Sequence, residues 1–179
     1  MKTTIKVLIG LIAVSLVQLT FPLFFIAAKE QVIETGKEYQ FSIEPVDPWD
    51  FFQGRYVELN MRPLSCSLEN PDDFKRYDIV YAEFEQDSSG AQITRLSHEK
   101  TKHSLKLKLY GKPRKKMRIR LPFKRFFLEE NKAKLVESKL ARNTTRNYVH
   151  VKILDGDFVM TDISSNGKSL ITGKPVVLP

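Results

Sequence analysis

The chain has 179 residues, enough for one compact domain and an additional segment. Its single cysteine, Cys66, excludes an intramolecular disulfide framework and any metal site built from several cysteines. The formal net charge of +8 is unevenly distributed: residues 100–125 contain 12 Lys and Arg and no Asp or Glu, whereas residues 30–99 and 126–179 together contain 14 basic and 21 acidic residues.

The first predicted element is a membrane-spanning helix. Residues 7–28 form a run of 22 positions without a charge, and about 20 mainly apolar residues cross a bilayer core as a helix. A cleaved signal peptide is the alternative, because two alanines end the run, but signal-peptide apolar cores are usually only about 7 to 15 residues long. Lys2 and Lys6 predict that residues 1–6 are cytoplasmic and that residues 30–179 form an extracytoplasmic domain.

Alternating apolar and polar residues predict strands in the first half of this domain. The segment "EYQFSIEPV" places Tyr39, Phe41 and Ile43 on one face, and "RYVELNM" continues the alternation with Val57 and Leu59. The segments "IVYAEFEQ" and "AQITRL" alternate in the same way, and the "DSSG" between them indicates a hairpin turn.

The basic region predicts a second hairpin. Leu105, Leu107 and Leu109 alternate with lysines, "GKPRKK" indicates a turn, and a second alternating segment follows it. One face of this hairpin would be aliphatic and the other cationic. The outward cations of the two strands form a set that we call the basic quartet: Lys106, Lys108, Arg118 and Arg120.

One short helix is predicted at residues 129–140, where Ala133, Val136 and Leu140 have helical spacing. The closing segments "YVHVKIL" and "FVMTDI", joined by "DGD", predict a last hairpin. The expected fold is therefore mainly β, with an antiparallel sheet or a sandwich or barrel-like arrangement, one short helix and one N-terminal transmembrane helix.

The segment "DPWD" predicts a single capped helical turn between two strands. Asp47 suits the N-cap, Pro48 suits the first helical position, and Asp50 occupies the reciprocal capping position. Gly54 would supply a left-handed exit from the turn. This pattern favours a structural role for the two aspartates.

The same region resembles the GDYXXLXY family of bacterial membrane-anchored proteins. The similar segment, "PVDPWDFFQGRYVELNM", begins at Pro45. Three positions keep the pattern in the family name: Gly54, Tyr56 and Leu59. Arg55 and Met61 replace the Asp and the second Tyr of that pattern. The downstream segments "FKRFFLEENKAKLVE" and "VHVKILDGDFVMTDISSNGK" are also similar to family sequences.

The resemblance implies a protein of unknown function in the bacterial inner membrane, with its C-terminal domain extracytoplasmic. It also implies that a polytopic membrane protein is a partner.

Residue types that carry catalysis do not form a recognisable set in this sequence. Cys66 lies in an expected loop without a basic neighbour, and His98, His103 and His150 are scattered. His150 falls in a predicted strand, where we expect a solvent-facing or hydrogen-bonded side chain. We therefore predict no catalytic residue, cofactor or metal site.

The leading functional hypothesis is a non-enzymatic accessory module at the membrane surface. The basic quartet would contact anionic lipid, an acidic polymer or an acidic partner. Nucleic acid is disfavoured, because the domain is expected outside the cytoplasm and the sequence shows no platform of aromatic residues interleaved with the basic ones.

Two alternatives remain. One is a membrane-tethered hydrolase that acts on an envelope polymer through Asp47 and Asp50, two carboxylates that could serve as acid and base or hold a hard cation. The other is a purely structural envelope protein.

Overall fold

The computed structural model describes residues 2–44, 56–129, 132–133, 136, 139–140 and 146–176. A long helix, α1 (Lys2–Thr35), precedes a β-rich domain. The strands of the described residues are β1 Lys37–Glu44, β2 Tyr56–Glu58, β3 Asn60–Met61, β4 Leu64–Ser67, β5 Ile79–Asp87, β6 Gly90–Ser97, β7 Leu105–Lys108, β8 Lys116–Ile119, β9 Arg125–Phe127, β10 Asn147–Leu154, β11 Asp157–Ser165 and β12 Lys168–Ser169. A 3-10 turn occupies Pro71–Asp73.

The strands pair antiparallel in several small sheets. The largest has the order β12-β11-β10-β1-β3, a three-stranded sheet has the order β6-β5-β7, and β2-β9 and β4-β8 form two-stranded sheets. In the described part of the chain these sheets do not close into a barrel. The predicted fold class, mainly β and antiparallel behind one N-terminal helix, is confirmed.

Aromatic side chains from different sheets meet in one core. Phe41 on β1 lies 5.2 Å from Phe84 and 5.1 Å from Phe123 between ring centroids, and Phe123 lies 4.7 Å from Phe158. The predicted inward face of β1 is confirmed, because Tyr39, Phe41 and Ile43 are all buried, whereas Gln40 between them is also buried, at 8% exposed. Edge-to-face and tilted ring pairs at these separations add to the free energy gained from burial.

The two hairpins outside the basic region form as predicted. Strands β5 and β6 pair with Asp87 opposite Gly90, and β10 and β11 pair with Leu154 opposite Asp157. Asp155 and Gly156 in the second turn both have positive φ, 52° and 86°. Such turns match the right-handed twist of the flanking strands, which explains the "DGD" sequence.

The short helix is confirmed in the residues that are described there. Lys132, Ala133, Val136, Lys139 and Leu140 are helical. The three apolar members of this set are buried in the core cluster, as their spacing predicted. The predicted capped turn at residues 45–54 lies outside the described residues.

The hairpin predicted for the basic region is wrong, although both of its strands exist. Strand β7 pairs with β5, and β8 pairs with β4, so β7 and β8 lie in different sheets. Alternation identifies the two faces of a strand but not its neighbours. Each strand here pairs along its full length with a strand that precedes the basic region, which leaves the turn "GKPRKK" to connect two sheets.

Helix α1 continues without a break from its apolar part into the domain. Its side chains are exposed from Lys6 to Ala27, and burial begins at Ala28. Lys29 forms an ion pair with Asp157 at 2.6 Å, and Val32 is 3% exposed. Gly36, which directly follows the helix, packs tightly against its last turn, because a Cβ at this position would overlap the carbonyl oxygen of Val32.

Candidate functional site

Residues of both β7 and β8 line an open groove. Its volume is about 1240 Å³. Residues from the end of β7 through the connecting loop and β8 to Lys124 line it, together with Ile79 on β5. The basic quartet predicted from sequence therefore lines one groove, although its two halves belong to different sheets. We call this feature the basic groove.

The alternation of each strand determines which side chains face solvent. On β7, Leu105 and Leu107 are buried while Lys106 and Lys108 are exposed. On β8, Arg118 is exposed and Ile119 is buried, and Arg120 just beyond the strand is again exposed. The apolar residues anchor each strand in the core, so the cations are held on a rigid support.

The lining of the basic groove has one sign of charge. Eight basic residues line it and, among the described residues that do so, there is no Asp or Glu: Lys106, Lys108, Lys112, Arg114, Lys116, Arg118, Arg120 and Lys124. No ion pair within the described ranges reaches any member of the basic quartet. A cleft lined by one sign of charge concentrates its potential and attracts ligands of the opposite sign.

Exposed aromatic residues border the basic groove near Lys108. Its Nζ lies 5.4 Å from the ring centroid of Tyr77, which meets the ring of Tyr110 edge-on at 6.4 Å. Tyr77, Tyr110 and Ile79 are exposed by 49%, 70% and 50%. The sequence did not indicate this cluster, because Tyr77 and Tyr110 lie outside the two strands and come together only through the pairing of β5 with β7.

The basic groove adjoins the end of the apolar helix. The Lys106 amide donates a hydrogen bond of 3.1 Å to the carbonyl of Gly156, in the β10–β11 turn. The next residue, Asp157, pairs with Lys29 of α1. One end of β7 is therefore fixed beside the point where the helix meets the domain.

A second polar arrangement, which the sequence did not indicate, lies within the large sheet. His150 Nδ1 is 2.9 Å from Glu38 Oε1, and His150 Nε2 is 2.8 Å from Ser164 Oγ. The three residues lie on adjacent strands β1, β10 and β11. Because an ionised carboxylate only accepts, His150 Nδ1–H donates to Glu38, and Nε2 and the Ser164 hydroxyl share the second hydrogen bond.

The hydrogen bond from His150 lowers the pKa of the Glu38 carboxyl below its usual value; partial burial opposes this shift, and the nearby charges of His150 and Lys152 add to it. The hydrogen-bonded series Ser164, His150 and Glu38 has the residue types of a catalytic triad: a nucleophile, its base and the carboxylate that orients the base. His150 and Ser164 are only 1% and 2% exposed, however, so a substrate does not reach the hydroxyl. The arrangement satisfies buried polar atoms, so of the two positions expected for His150, solvent-facing or hydrogen-bonded, the structure shows the second.

The remaining candidate residues occupy structural positions. Cys66 lies on strand β4 and not in the loop expected, and burial raises the pKa of its thiol. His98 stacks on Phe74 at 4.9 Å. Among the described residues, no group of three or more His, Cys, Asp or Glu side chains has a geometry that could hold a metal ion.

Of the three residues that keep the GDYXXLXY pattern, Tyr56 and Leu59 are described. Tyr56 stands opposite Phe127 in the β2–β9 pair, with their rings 5.7 Å apart, and the Arg125 guanidinium carbon lies 4.6 Å from the centre of the Tyr56 ring. Leu59 is buried, and its amide donates to the Lys124 carbonyl. Pro45, Asp47, Pro48, Asp50 and Gly54 lie outside the described residues, so their structural role remains a prediction.

The chain thus combines one apolar helix, long enough to cross a membrane, with a β-rich domain that presents a basic groove. The profile of the GDYXXLXY protein family matches residues 18–163, which covers the end of the helix and most of the domain. The chain belongs to this family. No curated protein and no solved structure matches it.

Proposed function

We propose that the protein is a membrane-anchored accessory module that binds an acidic partner in its basic groove. The observation that carries the proposal is the set of eight basic residues lining one groove, with no carboxylate among the described lining residues. The main chain that carries four of these cations lies in or beside ordered strands, so binding would cost less main-chain entropy than the ordering of a flexible loop, which favours a specific contact. The proposal assigns no catalytic step to the chain.

In this proposal, residues 7–28 span the bacterial inner membrane, residues 1–6 are cytoplasmic and residues 30–179 are extracytoplasmic. The uncharged run and the basic residues before it support this orientation. The change from exposed to buried side chains at Ala28 supports the same boundary between membrane and domain.

Two kinds of acidic partner lie within reach of such a module. Anionic lipid head groups or an acidic envelope polymer would contribute through charge, on the order of 1 kcal/mol for each basic residue near the surface. An acidic segment of a polytopic membrane protein would add contacts with the exposed Tyr77 and Tyr110, since tyrosine is enriched in protein interfaces.

Charge reversal in the full-length protein tests the proposal. The variant carries Glu at all four positions of the basic quartet, and its partners are identified by co-purification in mild detergent. A matched control reverses four exposed basic residues outside the groove, Lys75, Arg146, Lys168 and Lys174, and so changes the net charge by the same amount. We expect the groove variant to lose its acidic partner and the control to keep it. Equal recovery of the same proteins and lipids by both variants would contradict the proposal.

A further inference from the structure

The main chain of β7 has one edge that is not used by its sheet. Tyr77 N–H donates to the Leu109 carbonyl and Leu109 N–H donates to the Asp78 carbonyl, so the main-chain groups of Leu109 face β5. Successive residues of an antiparallel strand point their main-chain groups to opposite edges. The main-chain groups of Lys106 and Lys108 therefore face away from β5. The hydrogen bond from Lys106 N–H to the Gly156 carbonyl, which lies outside β5, agrees with this orientation.

In strand β8, too, the main-chain groups of the basic residues point away from the partner strand. Leu68 N–H donates to the Lys115 carbonyl, which continues the β4–β8 ladder by one step. Because main-chain groups alternate between the two edges of a strand, this bond implies that those of Met117 and Ile119 also point towards β4. Those of Lys116 and Arg118 point away from β4, towards the other edge.

The β10–β11 turn occupies the outer edge of β7 as far as Lys106, through the hydrogen bonds of Gly156 with Ser104 and Lys106. Beyond that contact, the basic groove lies between two strand edges whose outward main-chain groups have no main-chain partner among the described residues. In the part of the chain that the structure describes, no main-chain hydrogen bond outside the ladders reaches Lys108, Lys116 or Arg118. Unpaired edges of this kind accept another strand readily. Here the residues with outward main-chain groups are also the basic ones, which repel a second basic edge and favour an acidic strand.

We propose that an extended acidic segment of a partner protein inserts into the basic groove as an additional strand between β7 and β8. This proposal rests on the proposed function and identifies its partner as a peptide. The main chain of the segment would pair with Lys108 on one side and with Arg118 on the other. The two sheets would then be joined through the partner.

The side chains that line the groove predict the sequence pattern of the segment. One face of an inserted strand would meet the exposed basic quartet, and the other would meet apolar side chains such as Leu107, Met117 and Ile119. Because strand side chains alternate, the segment would alternate acidic and apolar residues. The groove volume of about 1240 Å³ exceeds that of the clefts that hold drug-sized ligands, so a segment of several residues has room.

A peptide fits these features better than a lipid surface. Lipid head groups and acidic polymers supply charge but no alternating donors and acceptors for a strand edge. Peptides that add to a sheet edge gain affinity from main-chain hydrogen bonds and specificity from alternate side chains. The basic groove offers groups for both kinds of contact.

The direct test uses the full-length protein in micelles of a neutral detergent and an acetylated, amidated octapeptide of alternating Glu and Val. Amide hydrogen exchange is measured by NMR. We expect the peptide to slow exchange at both Lys108 and Arg118 by at least about tenfold, because edge amides gain hydrogen-bond partners. Protection at neither amide, or at one alone, would contradict insertion between the two strands.

A second measurement separates main-chain pairing from charge. A peptide of the same sequence with N-methyl groups on alternate residues keeps all its carboxylates but cannot donate along one edge. We expect it to bind about tenfold more weakly than the parent peptide. Equal affinities would show that charge alone holds the ligand, which would overturn strand insertion and leave the proposed function intact.

Substitutions on the protein side complete the test. Two variants, Lys108→Pro and Arg118→Pro, remove an outward N–H together with the charge, at an edge where proline is tolerated. Two matched variants, Lys108→Gln and Arg118→Gln, remove the charge and keep the N–H. We expect the proline variants to lose about tenfold in affinity and the glutamine variants about threefold. Equal losses would contradict main-chain pairing. Unchanged binding to the charge-reversed quartet would contradict the proposed function as well.

Anionic vesicles distinguish a lipid ligand from a peptide. Vesicles of phosphatidylcholine containing phosphatidylglycerol are mixed with the full-length protein in neutral nanodiscs. We expect the octapeptide to bind with little competition from the vesicles. The opposite result would be that the vesicles displace the peptide and that the proline and glutamine substitutions weaken vesicle binding equally. That result would show that the groove is a lipid contact and would overturn the proposal.

Discussion

At the scale of single residues, His150 is a buried polar group with a hydrogen-bond partner at each ring nitrogen. It is 1% exposed, yet both of its ring nitrogens have partners, in Glu38 and Ser164. A buried polar group costs free energy unless its hydrogen bonds are satisfied. The side chain therefore adds a link across strands β1, β10 and β11, which are already joined by their ladders at the centre of the large sheet.

Removal of the imidazole should destabilise the domain. We expect His150→Leu to lower the free energy of unfolding by about 2–4 kcal/mol, because Ser164 and Glu38 lose their partner and the shape of the site changes. Denaturant unfolding of the full-length protein in detergent, followed by tryptophan fluorescence, measures this change. His98→Leu is the control, because His98 is 49% exposed and should change stability by less than about 0.5 kcal/mol.

Glu38 gives this network a pH dependence. Its pKa is lowered in the folded protein, chiefly by the hydrogen bond from His150, so the unfolded chain binds more protons in the window between the folded and unfolded pKa values. The stabilisation is present above the ordinary carboxyl pKa and is lost as the pH falls through the lower folded value. We expect Glu38→Gln to reduce stability at pH 7 and to make it less sensitive to pH below about 4.5. Parallel stability curves for the two proteins would contradict this assignment.

At the scale of structural elements, the sequence predicts strand faces better than strand partners. The alternation of Leu105 with Lys106 and of Arg118 with Ile119 correctly indicates which side chains are buried. It does not indicate that β8 pairs with β4, because that pairing depends on contacts between segments far apart in the chain. Adjacent hairpins with tight turns, such as the one at Gly156, are predicted correctly because the turn itself sets the register.

The candidate site was predictable only in part, because periodicity indicates the faces of strands but not which strands are neighbours. The basic quartet follows from periodicity, whereas the groove and the cluster of Tyr77 with Tyr110 depend on the arrangement of sheets. The network of His150 was not predictable, since its three residues are polar positions in otherwise ordinary strands. No local pattern distinguishes such a histidine from a solvent-facing one.

The turn predicted at residues 47–50 leads to a separate prediction. If Asp47 is an N-cap, Asp47→Ala should lower the free energy of unfolding by about 1 kcal/mol and Asp47→Asn should have little effect, because Asn also caps helices. Thermal unfolding of the two variants measures the difference. Under the same interpretation, the double variant Asp47→Asn, Asp50→Asn should retain partner binding and function in vivo. Loss of function in a folded double variant would favour the alternative of a hydrolase.

At the scale of the whole molecule, the helix and the domain form one continuous structure. Helix α1 runs to Thr35 and β1 begins at Lys37, so only Gly36 separates them. Lys29 pairs with Asp157, and Lys152 Nζ donates to the Ile33 carbonyl at the end of the helix. Short connections with several contacts restrict relative motion, so the orientation of the basic groove is coupled to that of the helix.

This coupling leads to a prediction at the junction. Val32 is 3% exposed where the helix meets the domain, whereas its neighbour Ile33 is 42% exposed. An aspartate at position 32 would place a charge in that contact without a partner, which is strongly unfavourable. We expect Val32→Asp to detach the end of the helix from the sheet and to expose the main chain around Gly36.

Limited trypsin digestion of the full-length protein in neutral nanodiscs measures this detachment through cleavage after Lys37, which is exposed but lies at the start of β1. Because proteolysis requires local unfolding, we expect cleavage in Val32→Asp to be roughly tenfold faster than in the unmodified protein. The matched control, Ile33→Asp, adds the same charge to the adjacent exposed position and should leave the cleavage rate nearly unchanged. If both variants are cleaved at the same rate, the helix does not hold the domain through Val32, and the groove is then free to reorient relative to the membrane.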